Sequence, residues 1–271
     1  MVFVLLAALW FSGWVFSSIF LLITILGTWE FYRLVSVETC HPQKYFGTAA
    51  AIIIYGITMF LNLGPWTTIP GSFVRIEFLP FLIPVPFLFL TFIIEIYRNK
   101  PNPLINIAMT NLGFIYVALP FSLLTYFTKP EQLHFYGMPV ILVGYFAFTW
   151  LNDTAAYLFG KQFGKHKFFE RISPKKTWEG TIAGATVTLL TAFGLHFAVP
   201  GMPMIDWLML ACMVVFFGTN GDLAESLIKR SLNIKDSGTI LPGHGGILDR
   251  FDTMLISAPC VFLYFFFHHP I

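Results

Sequence analysis

Long apolar runs alternate with short polar breaks along this chain, and the runs have the length of membrane spans. A helix crossing a bilayer needs about 20 mostly apolar residues. Runs of that length predict spans at 14–33, 47–63, 79–97, 103–126, 137–159, 180–199, 206–228 and 253–268. A further apolar stretch, 1–11, is short for a span. The pattern therefore predicts an all-α, polytopic transmembrane helix bundle of eight or nine spans. Breakers mark the boundaries at Gly64-Pro65, Pro101-Asn102-Pro103, Gly137-Met138-Pro139 and Pro200-Gly201. We find no internal repeat and no low-complexity linker. The organisation reads as N-terminal helices over 1–100, middle helices over 101–145, and a C-terminal transmembrane region over 146–271 with polar loops at 160–176 and 229–252.

Composition sharpens this picture. The 271 residues are 56% hydrophobic and 11% charged, with a mean hydropathy of +0.74. A soluble domain carries about 25% charged residues, so an ordinary soluble domain is excluded. Cys40, Cys212 and Cys260 show no metal-ligand or paired spacing and read as small packing residues. Residues 1–27 lack a basic leader and a small-residue cleavage site, so they read as a retained membrane helix and not a signal peptide.

Charge placement orients the bundle. Of sixteen Lys and Arg residues, alternate loops carry fourteen against two. The positive-inside bias assigns the rich set to the cytoplasm. The two richest loops, 160–176 and 229–252, then share the cytoplasmic side and can converge on one site. A patch for anionic headgroups would need the same lysines. It would not need the acidic residues and clustered glycines that accompany them.

Those residues carry the chemistry. Asp222, Glu225, Ser226 and Lys229 fall at helical spacing on one face. Asp249 and Asp252 open the last span, one turn apart. Carboxylates on two neighbouring helices suit Mg²⁺, which takes one or two protein carboxylates plus phosphate oxygens and water. Asp222, Asp249 and Asp252 are therefore the expected metal set; simple pairing of Asp222 with Lys229 and of Asp249 with Arg250 is the alternative. Gly243-His244-Gly245-Gly246 is a short glycine-rich loop whose backbone could approach a phosphate, with His244 either a phosphate contact or a structural residue. In Ser173-Pro-Lys-Lys-Thr-Trp-Glu-Gly180, Pro174 is expected to fix a turn, Lys176 to offer a point charge and Thr177 to cap the following helix. Asp153 interrupts an apolar span within Asn152–Tyr157, with Lys161 or Lys176 as its expected partner. Glu30 and Glu95 read as snorkelling partners of Arg33 and Arg98.

The whole C-terminal pattern resembles the phosphatidate cytidylyltransferases, the CDP-diacylglycerol synthases. Their motif stands here as Ser226, Lys229-Arg230, Lys235-Asp236, Pro242-Gly-His244-Gly-Gly246 and Asp249-Arg250-Phe-Asp252. The resemblance is strong over about 145–270 and weaker before it. It implies transfer of a cytidylyl group from CTP to phosphatidic acid, releasing pyrophosphate, in a nine-span homodimer of the cytoplasmic membrane whose site faces the cytoplasm. It further implies Mg²⁺ dependence with a K⁺ ion beside it, metal binding by Asp222 and Asp249, and Ser226 and Lys229 lining the active site. Ser173, Lys176, Thr177, Asp153, Arg230, Lys235, His244, Gly245, Gly246 and Arg250 are the expected substrate-binding residues. No nucleic acid is among the expected partners. Two other readings compete with it: a related CTP-dependent membrane enzyme acting on another lipid, and a cation-coupled transporter, which should show midplane charges and repeated halves.

Overall fold

The structure, a computed structural model, describes residues 2–64, 79–129, 134–135, 138–238 and 245–268. In chain order the first seven helices are α1 (Val2–Phe11), α2 (Gly13–Val35), α3 (Lys44–Leu63), α4 (Leu79–Leu82), α5 (Pro84–Arg98), α6 (Pro103–Gly113) and α7 (Leu119–Leu124). They are followed by α8 (Val140–Phe163), α9 (Trp178–Ala198), α10 (Met204–Met213), α11 (Thr219–Ser231) and α12 (Leu248–His268). Two hairpins, β1 (His134–Phe135) with β2 (Met138–Pro139) and β3 (Lys167–Phe169) with β4 (Ser173–Thr177), accompany π-helical turns at Phe114–Ala118 and Val214–Gly218 and a 3-10 turn at Thr125–Thr128.

Seven of the eight expected spans are helices long and apolar enough to cross a membrane. In the eighth place α8 runs for 24 residues but falls outside that set. Asn152 and Asp153 break the apolar pattern of the span expected at 137–159 but not its helix, which runs unbroken through both. The last span also begins earlier than expected, at Leu248, so Asp249 and Asp252 are helical residues. The chain is a multi-pass membrane protein with an all-α architecture.

The chain divides into two compact units, Met1–Lys129 with Asp236–Phe251, and Pro130–Lys235 with Asp252–Ile271. In the first, α2 packs on α3 and α6 around Tyr32, which is fully buried. The Tyr32 hydroxyl donates to the Thr110 carbonyl at 2.6 Å. A Cβ added at Gly47 or Gly113 would run into the Tyr32 ring. Lipid offers no hydrophobic drive for helix association, so close approach at small residues supplies dispersion instead. Phe20, Phe121 and Phe251 stack edge to face in the same unit. Asn99 and Asn102 take positive φ of 46° and 53° between α5 and α6, a conformation their short polar side chains tolerate. Pro84 and Pro103 open the two helices, where a missing N–H costs nothing.

The second unit is built on α8 and α9. A Cβ at Gly180 would lie 2.5 Å from the Ala156 carbonyl oxygen, and one at Gly184 2.8 Å from that of Asn152. Small residues at four-residue spacing on both helices thus bring the backbones together. A π-helical turn, Val214–Gly218, joins α10 to α11. Its extra residue turns the following face by about 100°, one residue's share of a 3.6-residue turn. Gly218 and Gly221 then face α12: a Cβ would fall 2.5 Å from Thr253 Cγ2 and 2.6 Å from the Asp252 carbonyl oxygen respectively.

Candidate active site

In the second unit a cavity of about 590 Å³ opens among α8, β4, α9 and α11. Lys161, Lys167, Lys175 and Lys176 line it together with Asp153 and Asp222. The lining thus sets four ammonium groups beside two carboxylates.

Each element places its residue for a local reason. The antiparallel pairing of β3 with β4 sets Lys167 opposite Thr177. Pro174 lies within β4, not in a turn, so the expectation for it is corrected: the hairpin, bulged between Lys167 and Phe169, does the reversing. Thr177 is the N-cap of α9 as expected, its hydroxyl accepting the Gly180 N–H at 3.2 Å. Glu179 in the first turn of α9 accepts from the Lys165 and His166 backbone N–H groups at 3.1 and 3.2 Å and from His166 Nδ1 at 2.6 Å. It tethers the end of α8 to the start of α9, and its charge suits the helix dipole.

Lys176 is the pivot. Its ammonium meets Asp222 Oδ2 at 2.6 Å and reaches the Thr219 carbonyl at 3.5 Å. Asp153 lies within electrostatic range of both Lys176 and Asp222, while the Lys176 ammonium itself pairs with Asp222. Ser226, one turn beyond Asp222, donates its hydroxyl to Oδ1 at 3.3 Å. Asp252 feels the charges of Asp222, Glu225 and Asp153, and its Oδ1 accepts the Thr253 N–H at 2.7 Å. Lys229 pairs with buried Glu225 at 3.1 Å. Arg230 donates to the Ile172 and Ile234 carbonyls and so braces the hairpin and the end of α11. Ser173 is half-buried at the start of β4, and Lys235 is exposed.

The remaining expected residues lie in the first unit. Asp249 Oδ2 accepts the backbone N–H groups of Ser237 and Gly246, both at 2.9 Å. Gly245 has φ +81°, and a Cβ there would lie 2.9 Å from Asp249 Oδ2. The N–H of Gly246, expected to approach a phosphate, is therefore engaged by a carboxylate. Arg250 is exposed in the first turn of α12. His244 lies outside the described residues.

Glu30 overturns its expectation. It is only 2% exposed and accepts from the N–H groups of Ile247 and Leu248 and from the Ser237 hydroxyl. The sequence signal was present, since an ionisable residue in an apolar helix is a functional hypothesis by default, but Arg33 nearby masked it. Glu95 keeps its expected partner, Arg98, at 2.8 Å, and also accepts from Gln43 and Asn106.

Among the described residues no group of three or more His, Cys, Asp or Glu side chains is arranged to hold a metal ion. Asp153, Asp222 and Asp252 nonetheless lie within one another's electrostatic range, and carboxylate oxygens are the donor type that a hard divalent ion takes. Such an ion takes one or two protein carboxylates and completes its shell from phosphate oxygens and water.

A family model described as "Cytidylyltransferase family" matches residues 1–268. The phosphatidate cytidylyltransferase of Staphylococcus aureus strain COL is 36% identical over 215 residues, 79% of this chain and 76% of that one. That of Staphylococcus saprophyticus is 38% identical over 197 residues, 70% of each chain. That of Staphylococcus haemolyticus is 40% identical over 158 residues, 58% of this chain and 55% of its own.

Proposed function

This chain belongs to the cytidylyltransferase family, and we propose from that membership that it is a CTP:phosphatidate cytidylyltransferase of phospholipid biosynthesis. The observation that carries the reading is the lysine-lined cavity whose Lys176 sits on Asp222. The reaction must bring together two polyanions, CTP and the phosphate of phosphatidic acid. The lipid phosphate attacks the α-phosphorus of CTP, the bond to the β-phosphate oxygen breaks, and pyrophosphate leaves. The nucleophile belongs to the substrate, so no protein nucleophile is required.

Lys161, Lys167, Lys175 and Lys176 bind the triphosphate and neutralise charge that grows on the leaving pyrophosphate. Asp222 and Asp252 would hold a divalent cation, Mg²⁺; a metal role for Asp249 rests on the family motif alone. Bound there, the ion supplies charge neutralisation and a template for phosphate oxygens. Ser226 fixes the Asp222 carboxylate by its hydrogen bond. Lys229, paired with Glu225, places a further cation along α11. Orienting two phosphates in line is worth several kcal/mol of barrier. A K⁺ ion beside Mg²⁺ and a homodimeric assembly complete the proposal; both rest on the resemblance. The fourteen-to-two bias of basic residues supports a cytoplasmic-membrane location with the site facing the cytoplasm.

The test uses purified protein in detergent, radiolabelled CTP and a panel of lipids. Label should enter phosphatidate, with stoichiometric pyrophosphate and dependence on Mg²⁺. Asp249→Asn should abolish turnover yet remain folded, because an amide oxygen still accepts the Ser237 and Gly246 N–H groups. Label entering only another lipid would refute the proposed substrate, and near-normal turnover by Asp249→Asn would remove that residue's metal role.

A further inference from the structure

Glu30 belongs to no motif assigned above. It sits on α2, an apolar helix, yet its carboxylate is buried. Oε2 accepts the Ile247 N–H at 2.8 Å, and Oε1 accepts the Leu248 N–H at 3.1 Å and the Ser237 hydroxyl. Gly27, one turn earlier on the same face, leaves room for this approach: a Cβ there would meet Ile247 Cγ2 at 3.4 Å and Leu248 Cδ2 at 3.7 Å. Glycines close around the carboxylate itself. A Cβ at Gly238 would lie 2.9 Å from Oε2, and one at Gly246 would run into Oε1.

A buried carboxylate is costly unless its lone pairs are met. Here the partners among the described residues are N–H and O–H dipoles, two of them at the N-terminus of α12, where the helix field favours an anion. Glu30 is thus a cap donated by a distant helix. The cap acts on a second carboxylate. Ser237 is held twice, its hydroxyl by Glu30 and its N–H by Asp249. Gly246 is likewise bounded by Glu30 on one side and hydrogen-bonded to Asp249 on the other. Asp249 therefore takes its orientation from groups that Glu30 fixes.

We propose that Glu30 is a positioning residue for cytidylyl transfer: it orients the Asp249 carboxylate and the Gly245–Gly246 turn by clamping Ser237 and the first N–H groups of α12. The membrane helix α2 is then part of the catalytic apparatus. The inference rests on the cytidylyltransferase reading and names one further residue for it.

The test compares the full-length protein with Glu30→Gln, Glu30→Ala, Gly246→Ala and the double variant Glu30→Ala/Gly246→Ala. Tyr32→Phe, which removes one buried hydrogen bond of the same unit away from these groups, is the control for stability alone. Three quantities are read: kcat and KM for CTP, thermal unfolding, and hydrogen exchange at the amides of 246–249 without substrate. Glu30→Gln should lower kcat by roughly 10²-fold, the scale of a misplaced reacting group, and leave KM for CTP nearly unchanged. Amide exchange at Gly246, Ile247 and Leu248 should quicken by about tenfold or more as local opening becomes easier. Gly246→Ala should be as damaging as Glu30→Gln in the parent. It should add less in the Glu30→Ala background, where the obstructing carboxylate is gone and the Ser237 hydroxyl, the other group in the way, is free to rotate aside. Tyr32→Phe should lower the unfolding temperature and leave kcat of the folded fraction intact. If Glu30→Gln turns over within about threefold of the parent, or if its loss merely tracks unfolding temperature as in Tyr32→Phe, the positioning role is wrong. A parent protein that makes no CDP-diacylglycerol counts against the assigned reaction; the exchange measurement, which needs no substrate, still decides whether Glu30 holds the turn.

Discussion

Replacing Lys176 by Met should move catalysis and metal binding in opposite directions. The substitution keeps the aliphatic stem and removes one positive charge 2.6 Å from Asp222 Oδ2. Coulomb's law gives about 6 kcal/mol for that pair at an effective dielectric near 20 and about 1.6 kcal/mol in bulk water. Both side chains keep a quarter to a third of their exposure, so solvent screening and desolvation pull the net value to about 1 kcal/mol. In the resting protein this is the energy with which Lys176 competes with a divalent ion for Asp222. Its removal should tighten divalent-ion binding by about fivefold, the factor that corresponds to 1 kcal/mol. On the proposed reading catalysis should suffer nonetheless, because the ammonium assigned to the leaving pyrophosphate is then missing. Loss of one such preorganised donor costs about 10²–10³ in kcat. The assay pairs initial rates of CDP-diacylglycerol synthesis, as a function of Mg²⁺ concentration, with direct Mn²⁺ binding followed by electron paramagnetic resonance. Weaker metal binding in Lys176→Met would refute the competition, since it would mean that the lysine supports the ion. Unchanged kcat would refute the role of Lys176 toward phosphate.

Three further outcomes are expected. Asp222→Asn should stay folded, because an amide oxygen can still accept from Ser226, but should need more Mg²⁺; a metal-affinity loss of about 10–100-fold should let excess Mg²⁺ restore part of the rate, and a rate indifferent to Mg²⁺ would contradict a ligand role. Gly184→Ala should lower thermal stability by about 1–3 kcal/mol, since its Cβ would sit 2.8 Å from the Asn152 carbonyl oxygen and push α9 off α8; an unshifted unfolding midpoint in detergent would show that the helices part at no cost. Gly47→Ala should destabilise by a similar amount by displacing the Tyr32 ring, and the penalty should shrink in a Tyr32→Leu background, which a double-mutant cycle of unfolding midpoints would read directly.

Much of this protein was legible in its sequence because a bilayer leaves the chain few choices. Apolar runs of about 20 residues must become helices that satisfy their own backbone, and seven of the eight expected spans are helices of that kind. The alternation of basic loops and the Ser226-to-Asp252 motif are linear features, so residue type and spacing were enough to reach the chemistry. Thr177 as a cap was equally local, because capping acts within one turn.

What the sequence could not decide depends on contacts far apart in the chain. Glu30 and Leu248 are separated by 217 intervening residues, and only packing makes the first the cap of the second. Arg33, three residues from Glu30, was the obvious partner on a helix considered alone. The choice of Lys176 as the cation on Asp222 was also tertiary, fixed by a hairpin that carries one residue and by a π-turn that rotates the other. Hydropathy depends on each residue's own surface and is written in the chain; the pairing of a buried charge depends on whichever dipoles the fold brings within 3 Å, and no local pattern records that.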